Sequence, residues 1–330
     1  MKKILNKKFL YIFSIILIIL SSTIFLIRHK INLSYKIISK YIILYKTEKQ
    51  TNFKDISAST LNDINIKDIK YKETSGVSLN LDIYSPTKEV YRSSPVLIFI
   101  HGGSWAYGDK SLPDTLLPIF DTFRECGYTV ISVDYQLMRE KENFEKQISD
   151  VKDVIRWVYK NKNTYNFNTS EIGLLGISSG AHLALMAGYS DSSSFTDDPS
   201  LRTYPSKVKY IIDFSGPTDL SLLDTTNLNY DLKKIFDSID DTDEVMSKYN
   251  PINYINKDTP DTLIIHSKND SFVPYLSSEK LYKRCTLEDN VSAKLITLND
   301  AEHDLSSISK NDIISLSKGL IYFILKNSPF

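Results

Sequence analysis

The segment Gly176-Ile177-Ser178-Ser179-Gly180 places a serine between two glycines, with an apolar run before it and a helix-forming run after it. A G-x-S-x-G segment in that position is typical of a nucleophile elbow, where the serine backbone is strained. The glycines are needed because bulk on either side would strike the neighbouring strand and helix. A plain strand-to-helix turn has the same composition, so the serine needs partners before chemistry can be inferred.

A serine needs a neighbouring base to be nucleophilic near neutral pH, and the chain contains five histidines. His303, in "NDAEHDL", follows the last predicted strand, where a loop can bring its ring over Ser178. Structural roles are expected for the other four histidines. His29 lies at the end of an apolar N-terminal segment, His101 and His266 each end a predicted strand, and His182 is expected to pack beneath the site. His303 is therefore the predicted base, by position and by elimination.

A third group must orient the histidine and stabilise its cationic form. Asp270, in "HSKNDSFVP", follows the preceding predicted strand and is the first candidate. Asp219, in "SGPTDL", lies one strand earlier and is the alternative, and either residue could instead be a turn-forming aspartate. With Asp270, the chain order Ser178, Asp270, His303 is that of the α/β-hydrolase fold.

The segment "HGGSW", residues 101–105, supplies candidates for an oxyanion hole. Glycine lets the backbone approach a substrate closely, so the N–H groups of Gly102 or Gly103 can point towards it. The N–H of Ser179, the residue after the nucleophile, is the expected second donor.

These residues follow apolar runs that alternate with helical patterns, which predicts a mostly parallel, doubly wound sheet flanked by helices. Ligands of such sheets bind beyond the carboxyl ends of the strands, where the candidate residues fall. The predicted strands have the sequences "VSLNLDIYS", "PVLIFI", "YTVISVDY", "EIGLLGI", "VKYIIDFS", "DTLIIHS" and "AKLITL".

Lys+Arg and Asp+Glu both total 40, but the first 30 residues contain six basic residues and no acidic one. The remaining chain is mildly acidic, which gives no support for nucleic-acid binding. The two cysteines, Cys126 and Cys285, are too few for a disulfide framework and lack metal-site spacing, so we expect free thiols in a packed body.

Residues 9–27 form an uncharged run long enough to cross a bilayer as a helix, with lysines before it and Arg28-His29-Lys30 after it. The length and the lack of a small-residue cleavage site favour an uncleaved anchor within residues 1–30 over a signal peptide or a buried helix. We expect a cytoplasmic N-terminus and an extracytoplasmic domain, although lysines on both sides weaken the charge signal. Residues 31–68 are expected to be an amphipathic segment, lying on the membrane or continuing the anchor, and a linker.

From about residue 70 to 326 the chain resembles the esterase/lipase branch of the α/β-hydrolase fold, in particular the carbohydrate-esterase group of bifunctional feruloyl and acetyl esterases. The resemblance is carried by "LDIYSP", "VLIFIHGGSWAYGDK", "ISVDYQL", "DVIRWVYKN", "IGLLGISSGAHLAL", "DFSGPTDL", "YNPINYI", "DTLIIHSKNDSFVP" and "AEHDL". It implies Ser178 as nucleophile, Asp270 as acid, His303 as base, oxyanion donors at Gly102, Gly103 and Ser179, and no cofactor.

Departures from the family pattern affect substrate preference more than the triad. Ser104 stands where many relatives have a third glycine, and Gln136 replaces the arginine of "DYRL".

The catalytic domain is expected at 69–330, with part of a cap at 221–256. The predicted activity is cleavage of short-chain, acetyl-type esters carried by small molecules or glycans. The enzyme itself is predicted to be bound to a membrane. A prolyl-peptidase-like serine peptidase and a non-catalytic binding protein on the same fold are the alternatives.

Overall fold

A computed structural model describes residues 2–47, 66–74, 76–224, 230–239, 241–303 and 308–329. Its centre is an eight-stranded sheet in the order β1-β2-β4-β3-β5-β6-β7-β8, in which β1 and β2 are antiparallel to their neighbours and all other pairs are parallel. The strands are β1 Ile66–Thr74, β2 Val77–Tyr84, β3 Ser94–Ile100, β4 Thr129–Val133, β5 Phe167–Ile177, β6 Tyr210–Phe214, β7 Asp261–Ser267 and β8 Ala293–Leu298.

Helices cover both faces of the sheet. They are α1 Lys2–Thr47, α2 Leu117–Glu125, α3 Phe144–Lys160, α4 Ser179–Tyr189, α5 Tyr230–Asp237, α6 Thr242–Lys248, α7 Leu276–Thr286 and α8 Lys310–Asn327. Every residue of β3, β4 and β6 is buried, as expected for strands with helices above and below. The apolar side chains therefore form two cores, one on each face of the sheet. The predicted fold class is confirmed.

The N-terminal helix α1 continues without a break through the residue-30 boundary, so residues 31–45 continue the apolar segment as helix. Residues Phe9–Lys36 are long and apolar enough to cross a membrane, and an 18-residue window within them has a mean hydropathy of 2.7. Near the end of this stretch, Leu33 is buried in the core cluster that contains Phe120 and Leu320. The helix therefore touches the body of the molecule as well as extending from it.

Strand β1 begins at Ile66, inside the predicted 31–68 linker. Its sequence "IKDIKYKET" is polar and bulged, with Asp68 at φ 56°, which hides the alternation expected of a strand. Lys72 in β1 is buried and paired with carboxylates, a pattern that hydropathy cannot detect. Within the predicted cap, the described residues form α5, α6 and the 3₁₀ turns Leu220–Leu222 and Pro251–Tyr254. Residues 225–229 and 240 of the cap lie outside the described residues.

Candidate active site

Ser178 lies at a sharp turn between β5 and α4, with φ 54° and ψ −123°. Its N–H donates to the Phe214 carbonyl at 2.8 Å, which ties the turn to β6. A Cβ on Gly176 would lie 2.5 Å from the Ala181 Cα, and one on Gly180 would lie 2.3 Å from the His101 carbonyl oxygen. The two glycines are thus required by close backbone contacts, and the turn has the geometry of a nucleophile elbow.

Loops after β7 and β8 bring Asp270 and His303 to this serine. His303 Nε2 lies 3.0 Å from Ser178 Oγ, and His303 Nδ1 lies 2.6 Å from Asp270 Oδ2. The carboxylate can only accept, so Nδ1 carries a proton and Nε2 is free to take the serine proton. The side chain of Asp270 is buried, whereas that of His303 is 18% exposed, so the histidine lies at the surface of the candidate site.

Asp270 is held by four donors. Its Oδ1 accepts from the N–H groups of Phe272 and Val273, both at 2.9 Å, and its Oδ2 accepts from both His303 and His266, the latter at 3.1 Å. Burial raises the pKa of this carboxyl, but hydrogen bonds from His266 and His303 outweigh it and hold the pKa well below its usual range. The carboxylate therefore stays ionised throughout the neutral range.

The glycine loop after β3 lies directly against the elbow. A Cβ on Gly102 would lie 3.0 Å from the Ile177 carbonyl oxygen and 3.4 Å from the Ser178 Cβ. His101 Nδ1 donates to the Gly102 carbonyl at 2.7 Å. Because C=O and N–H of one trans peptide point in opposite directions, this bond turns the Gly103 N–H away from His101.

His101 is itself fixed by Tyr135, whose ring stacks on it at 4.3 Å and whose hydroxyl donates to the His101 carbonyl at 3.1 Å. Burial lowers the pKa of His101, which favours the neutral ring. Gly103 has φ 120°, and its carbonyl accepts from Ala106 and Tyr107, so the turn needs glycine at this position. The structural role predicted for His101 is confirmed, and it consists of ordering this loop.

An aromatic cluster supports the loop from below. Trp105 Nε1 donates to His182 Nδ1 at 3.2 Å, and His182 Nε2 bonds the Tyr249 carbonyl at 2.8 Å. Burial lowers the pKa of His182 to about 4, so this ring is a neutral packing element beneath the site, as predicted. Phe236 of α5 lies 6.2 Å from the Trp105 ring, so a residue of the predicted cap segment belongs to this cluster.

The alternative acid, Asp219, lies away from His303. Its Oδ2 pairs with Lys280 Nζ at 2.8 Å, and its Oδ1 accepts from the Ser221 N–H at the start of a 3₁₀ turn. The structure therefore brings Asp270, and not Asp219, to the histidine. The contact of His266 with Asp270 was not predicted; the sequence signal was only that both residues flank one short loop.

No group of three or more His, Cys, Asp or Glu residues suited to a metal ion is found in the described part of the chain. Cys126 and Cys285 are buried thiols that form no disulfide bond, as predicted.

The model of the BD-FAE family matches residues 81–285, which is more than half of the chain. This chain belongs to the BD-FAE family. The BD-FAE match includes the glycine loop, the elbow and Asp270 but ends before His303, so the place of His303 rests on the geometry above. The predicted family resemblance is confirmed.

Two relatives of this BD-FAE chain come from Mycobacterium tuberculosis. It is 22% identical to Esterase LipC over 228 residues, covering 68% of this chain and 56% of that protein. It is 26% identical to the Probable carboxylic ester hydrolase LipM over 213 residues, covering 63% of this chain and 48% of that protein. The chain spans about half the length of these relatives.

Solved structures agree on the fold of this BD-FAE protein. A truncated form of a carbohydrate esterase from gut microbiota matches with a TM-score of 0.63 at 23% identity, covering 79% of this chain and 95% of that one. Propionate-bound Est2 of Thermogutta terrifontis matches with a TM-score of 0.60 at 22% identity, covering 78% of this chain and 91% of that one. These matches confirm the α/β-hydrolase fold.

Proposed function

We propose that this protein is a serine hydrolase of carboxylic esters, with Ser178, His303 and Asp270 as its catalytic triad. The observation that carries the proposal is the continuous chain from Ser178 Oγ to His303 Nε2 at 3.0 Å and from His303 Nδ1 to Asp270 at 2.6 Å. Family membership supports it, as do relatives named as an esterase and a carboxylic ester hydrolase.

In the proposed reaction, Ser178 Oγ attacks the ester carbonyl while His303 Nε2 takes its proton. Asp270 stabilises the resulting imidazolium through Nδ1. The carbonyl oxygen becomes negative and is stabilised by N–H donors from the glycine loop, at Gly102 or Gly103, and from Ser179 at the N-terminus of α4. His303 then protonates the leaving alcohol, and water activated by His303 releases the acid from the acyl-enzyme.

The proposed substrates are short-chain, acetyl-type esters, including esters on glycans. Short acyl groups are supported by the buried aromatic cluster beside the glycine loop, where Trp105 packs against Phe144 and Phe236 at ring distances of 5.4 and 6.2 Å. The carbohydrate esterase among the structural matches and the propionate bound to Est2 support the same substrate class.

The proposed location is a membrane, with α1 as an uncleaved single-span anchor and the catalytic domain outside the cytoplasm. Large apolar side chains are exposed from Phe9 to Leu20 and from Ile24 to Leu26, as a lipid-facing helix requires. A protease-sensitive C-terminal tag tests the orientation. Cleavage of the tag on intact cells is expected, and complete protection would overturn the extracytoplasmic placement.

A fluorophosphonate probe tests the catalytic assignment on the full chain in detergent. We expect labelling of the wild type, none of Ser178→Ala, and an esterase rate lowered about 10⁴-fold or more in that variant. Ser179→Ala is the matched control, because it keeps the backbone N–H and should still be labelled. Labelling that persists in Ser178→Ala would contradict the assignment, and no labelling of the wild type would favour a binding protein.

Comparing p-nitrophenyl acetate with a glycyl-prolyl p-nitroanilide then separates esterase from peptidase. Hydrolysis of the ester alone is expected. Faster cleavage of the anilide would replace the esterase with a prolyl-peptidase-like enzyme.

A further inference from the structure

The proposed active site and the attachment of α1 lie at opposite edges of the sheet. Ser178, Asp270 and His303 follow the carboxyl ends of β5, β7 and β8. The parallel strands share one direction, so these residues define the carboxyl edge, and the first residues of the same strands define the amino edge.

Helix α8 runs from the carboxyl edge to the amino edge. Near its start, Asp312 accepts from the N–H groups of Asn299 and Asp300, which follow the end of β8. Near its end, Lys326 Nζ pairs at 2.8 Å with Asp261, the first residue of β7. The last turn of α8 is therefore at the amino edge.

Helix α1 is fixed to that edge by polar contacts. Lys30 Nζ donates to the carbonyl oxygens of Leu325 and Lys326, at 3.0 and 3.4 Å, in the last turn of α8. Lys36 Nζ pairs at 2.9 Å with Glu125, which ends α2 just before β4 begins.

Two ring and apolar contacts complete the attachment. The His29 ring lies 5.2 Å from Tyr91, which precedes β3, and Leu33 between the two lysines is buried. The apolar stretch before residue 29 leaves the body from this edge.

Resting on the proposed anchor and esterase activity, we propose that α1 holds the amino edge towards the bilayer, so that the active site opens away from it onto esters carried by water-soluble molecules or polymers. A strand of six or seven residues spans about 20 Å, so the serine lies at least that far from the attachment. Phe272, 72% exposed and 5.3 Å from the His303 ring, lies at the open rim of the site. Acyl lipids of the membrane that holds the enzyme cannot reach Ser178 in this arrangement.

Fluorescence quenching tests the orientation without relying on activity. Phe272→Cys marks the carboxyl edge and Lys326→Cys the amino edge, and the native thiols are buried, so wild type serves as the labelling control. The full chain is labelled with an environment-sensitive dye and reconstituted in 3:1 phosphatidylcholine–phosphatidylglycerol vesicles that carry headgroup spin labels. We expect at least threefold stronger quenching at position 326 than at 272. Equal or stronger quenching at 272 would overturn the proposal.

A matched pair of acetyl esters tests the substrate class. Triacetin is dissolved in water, and 1,2-dioleoyl-3-acetylglycerol presents the same acetyl–glycerol bond inside the vesicles. The reconstituted enzyme should cleave triacetin at least 100-fold faster, and transfer of the acetyl lipid to detergent micelles should remove most of that difference. Comparable rates in vesicles would overturn the inference, whereas failure on triacetin in detergent as well would count against the proposed activity itself.

The contacts of Asp270 support a second, independent inference. His266 is fully buried, with Nδ1 2.7 Å from Ser278 Oγ and Nε2 3.0 Å from the Val273 carbonyl. A carbonyl only accepts, so Nε2 carries a proton, and the same nitrogen lies 3.1 Å from Asp270 Oδ2. Oδ2 is therefore shared between His266 and His303.

We infer that His266 is a positioning residue that fixes Asp270 Oδ2 beneath His303 and limits how strongly that oxygen holds the His303 proton. Tyr275, whose ring lies 5.7 Å from His266, is the other titratable group packed against this ring in the described structure, and its hydroxyl is directed to Thr297. Removing the Nε2 proton would leave more negative charge on Oδ2 for His303.

The test compares His266→Leu with His266→Gln, whose amide can donate from a similar position. For the leucine variant we expect kcat to fall about 10- to 100-fold and the acidic limb of kcat/KM to move to higher pH by roughly half a unit. The glutamine variant should return that limb towards wild type. Ser278→Ala keeps His266 but frees its ring, and should move the limb in the same direction by less. An acidic limb that stays in place in the leucine variant, or in Ser278→Ala if the leucine variant does not fold, would overturn the inference.

Discussion

Asp213 shows how a single buried carboxyl can make the stability of this fold depend on pH. It is fully buried in β6, its Oδ1 accepts from the Gly216 N–H at 2.8 Å, and its Oδ2 has no hydrogen-bond partner among the described residues. Burial raises its pKa to about 7, more than the Gly216 N–H lowers it. A raised folded-state pKa means that the native state binds the proton more tightly, so stability is lost as pH rises from about 4 towards 7.

Asp213→Asn should remove this dependence, because the amide stays neutral and keeps an acceptor for Gly216. We expect the variant to gain stability over wild type between pH 5 and pH 8, by on the order of 2 kcal/mol. Thermal unfolding at both pH values measures the change. Asp258→Asn, at an exposed carboxylate, is the control and should show no such trend. A difference that stays constant with pH would contradict the prediction.

Asp270 shows the opposite behaviour. Its folded-state pKa lies well below the usual range, so its stabilising contacts are present above about pH 4 and are lost only in strong acid. Each residue of the proposed triad could be predicted, because it lies in a short motif directly after an apolar strand. The contact of His266 with Asp270 could not be predicted from the sequence, because it depends on how the loop 267–273 folds back onto strand β7.

At the scale of elements, a buried ionic cluster joins β1 to the rest of the fold. Lys72 Nζ lies 2.7 Å from Asp150 and 2.8 Å from both Asp153 and Asp197, so one strand residue binds helix α3 and the loop after α4. Burial lowers the pKa of Lys72, but the surrounding carboxylates outweigh it and raise the pKa above its ordinary value.

Lys72→Met should destabilise the protein by about 3–5 kcal/mol, because it leaves buried carboxylates without their cation. Denaturant unfolding measures the loss. Lys70→Met in the same strand is the matched control, since its pair with Glu73 is exposed and should be worth about 1 kcal/mol or less. Equal losses for the two variants would show that the cluster contributes no more than a surface pair.

The sheet, its flanking helices and the carboxyl-edge loops could be predicted from apolar periodicity. Strand β1 and its boundary could not be predicted in this way, because Lys72 is neutralised by residues about 80 to 125 positions further along the chain. Hydropathy treats such a lysine as a surface residue, whereas its burial follows from tertiary pairing.

For the whole molecule, the main unexpected feature is that the N-terminal helix and the body share a core. Leu33 is 1% exposed, whereas Ile31, two residues earlier, is 44% exposed. The sequence predicted an amphipathic segment here, but its covering surface comes from α2 and α8, which local periodicity cannot identify.

Leu33→Asp should lower the stability of the full chain in detergent by about 3 kcal/mol, because it places a charge in an apolar contact. Ile31→Asp is the control and should change stability by less than about 1 kcal/mol. Thermal unfolding followed by tryptophan fluorescence measures both, since Trp105 and Trp157 lie in the body. The kcat for a soluble ester at low temperature should be unchanged, and equal losses in the two variants would contradict docking through Leu33.

The bond from Lys30 to Leu325 joins residues 295 positions apart. During synthesis α1 emerges from the ribosome first, while the turn of α8 that receives Lys30 emerges only after every strand of the sheet has been made. Docking of α1 therefore cannot guide the early steps of folding and can form only as one of the last contacts. An interrupted chain that lacks α8 would leave the α8-facing sides of Lys30 and Leu33 uncovered next to the proposed membrane anchor, a local signal for quality-control proteases.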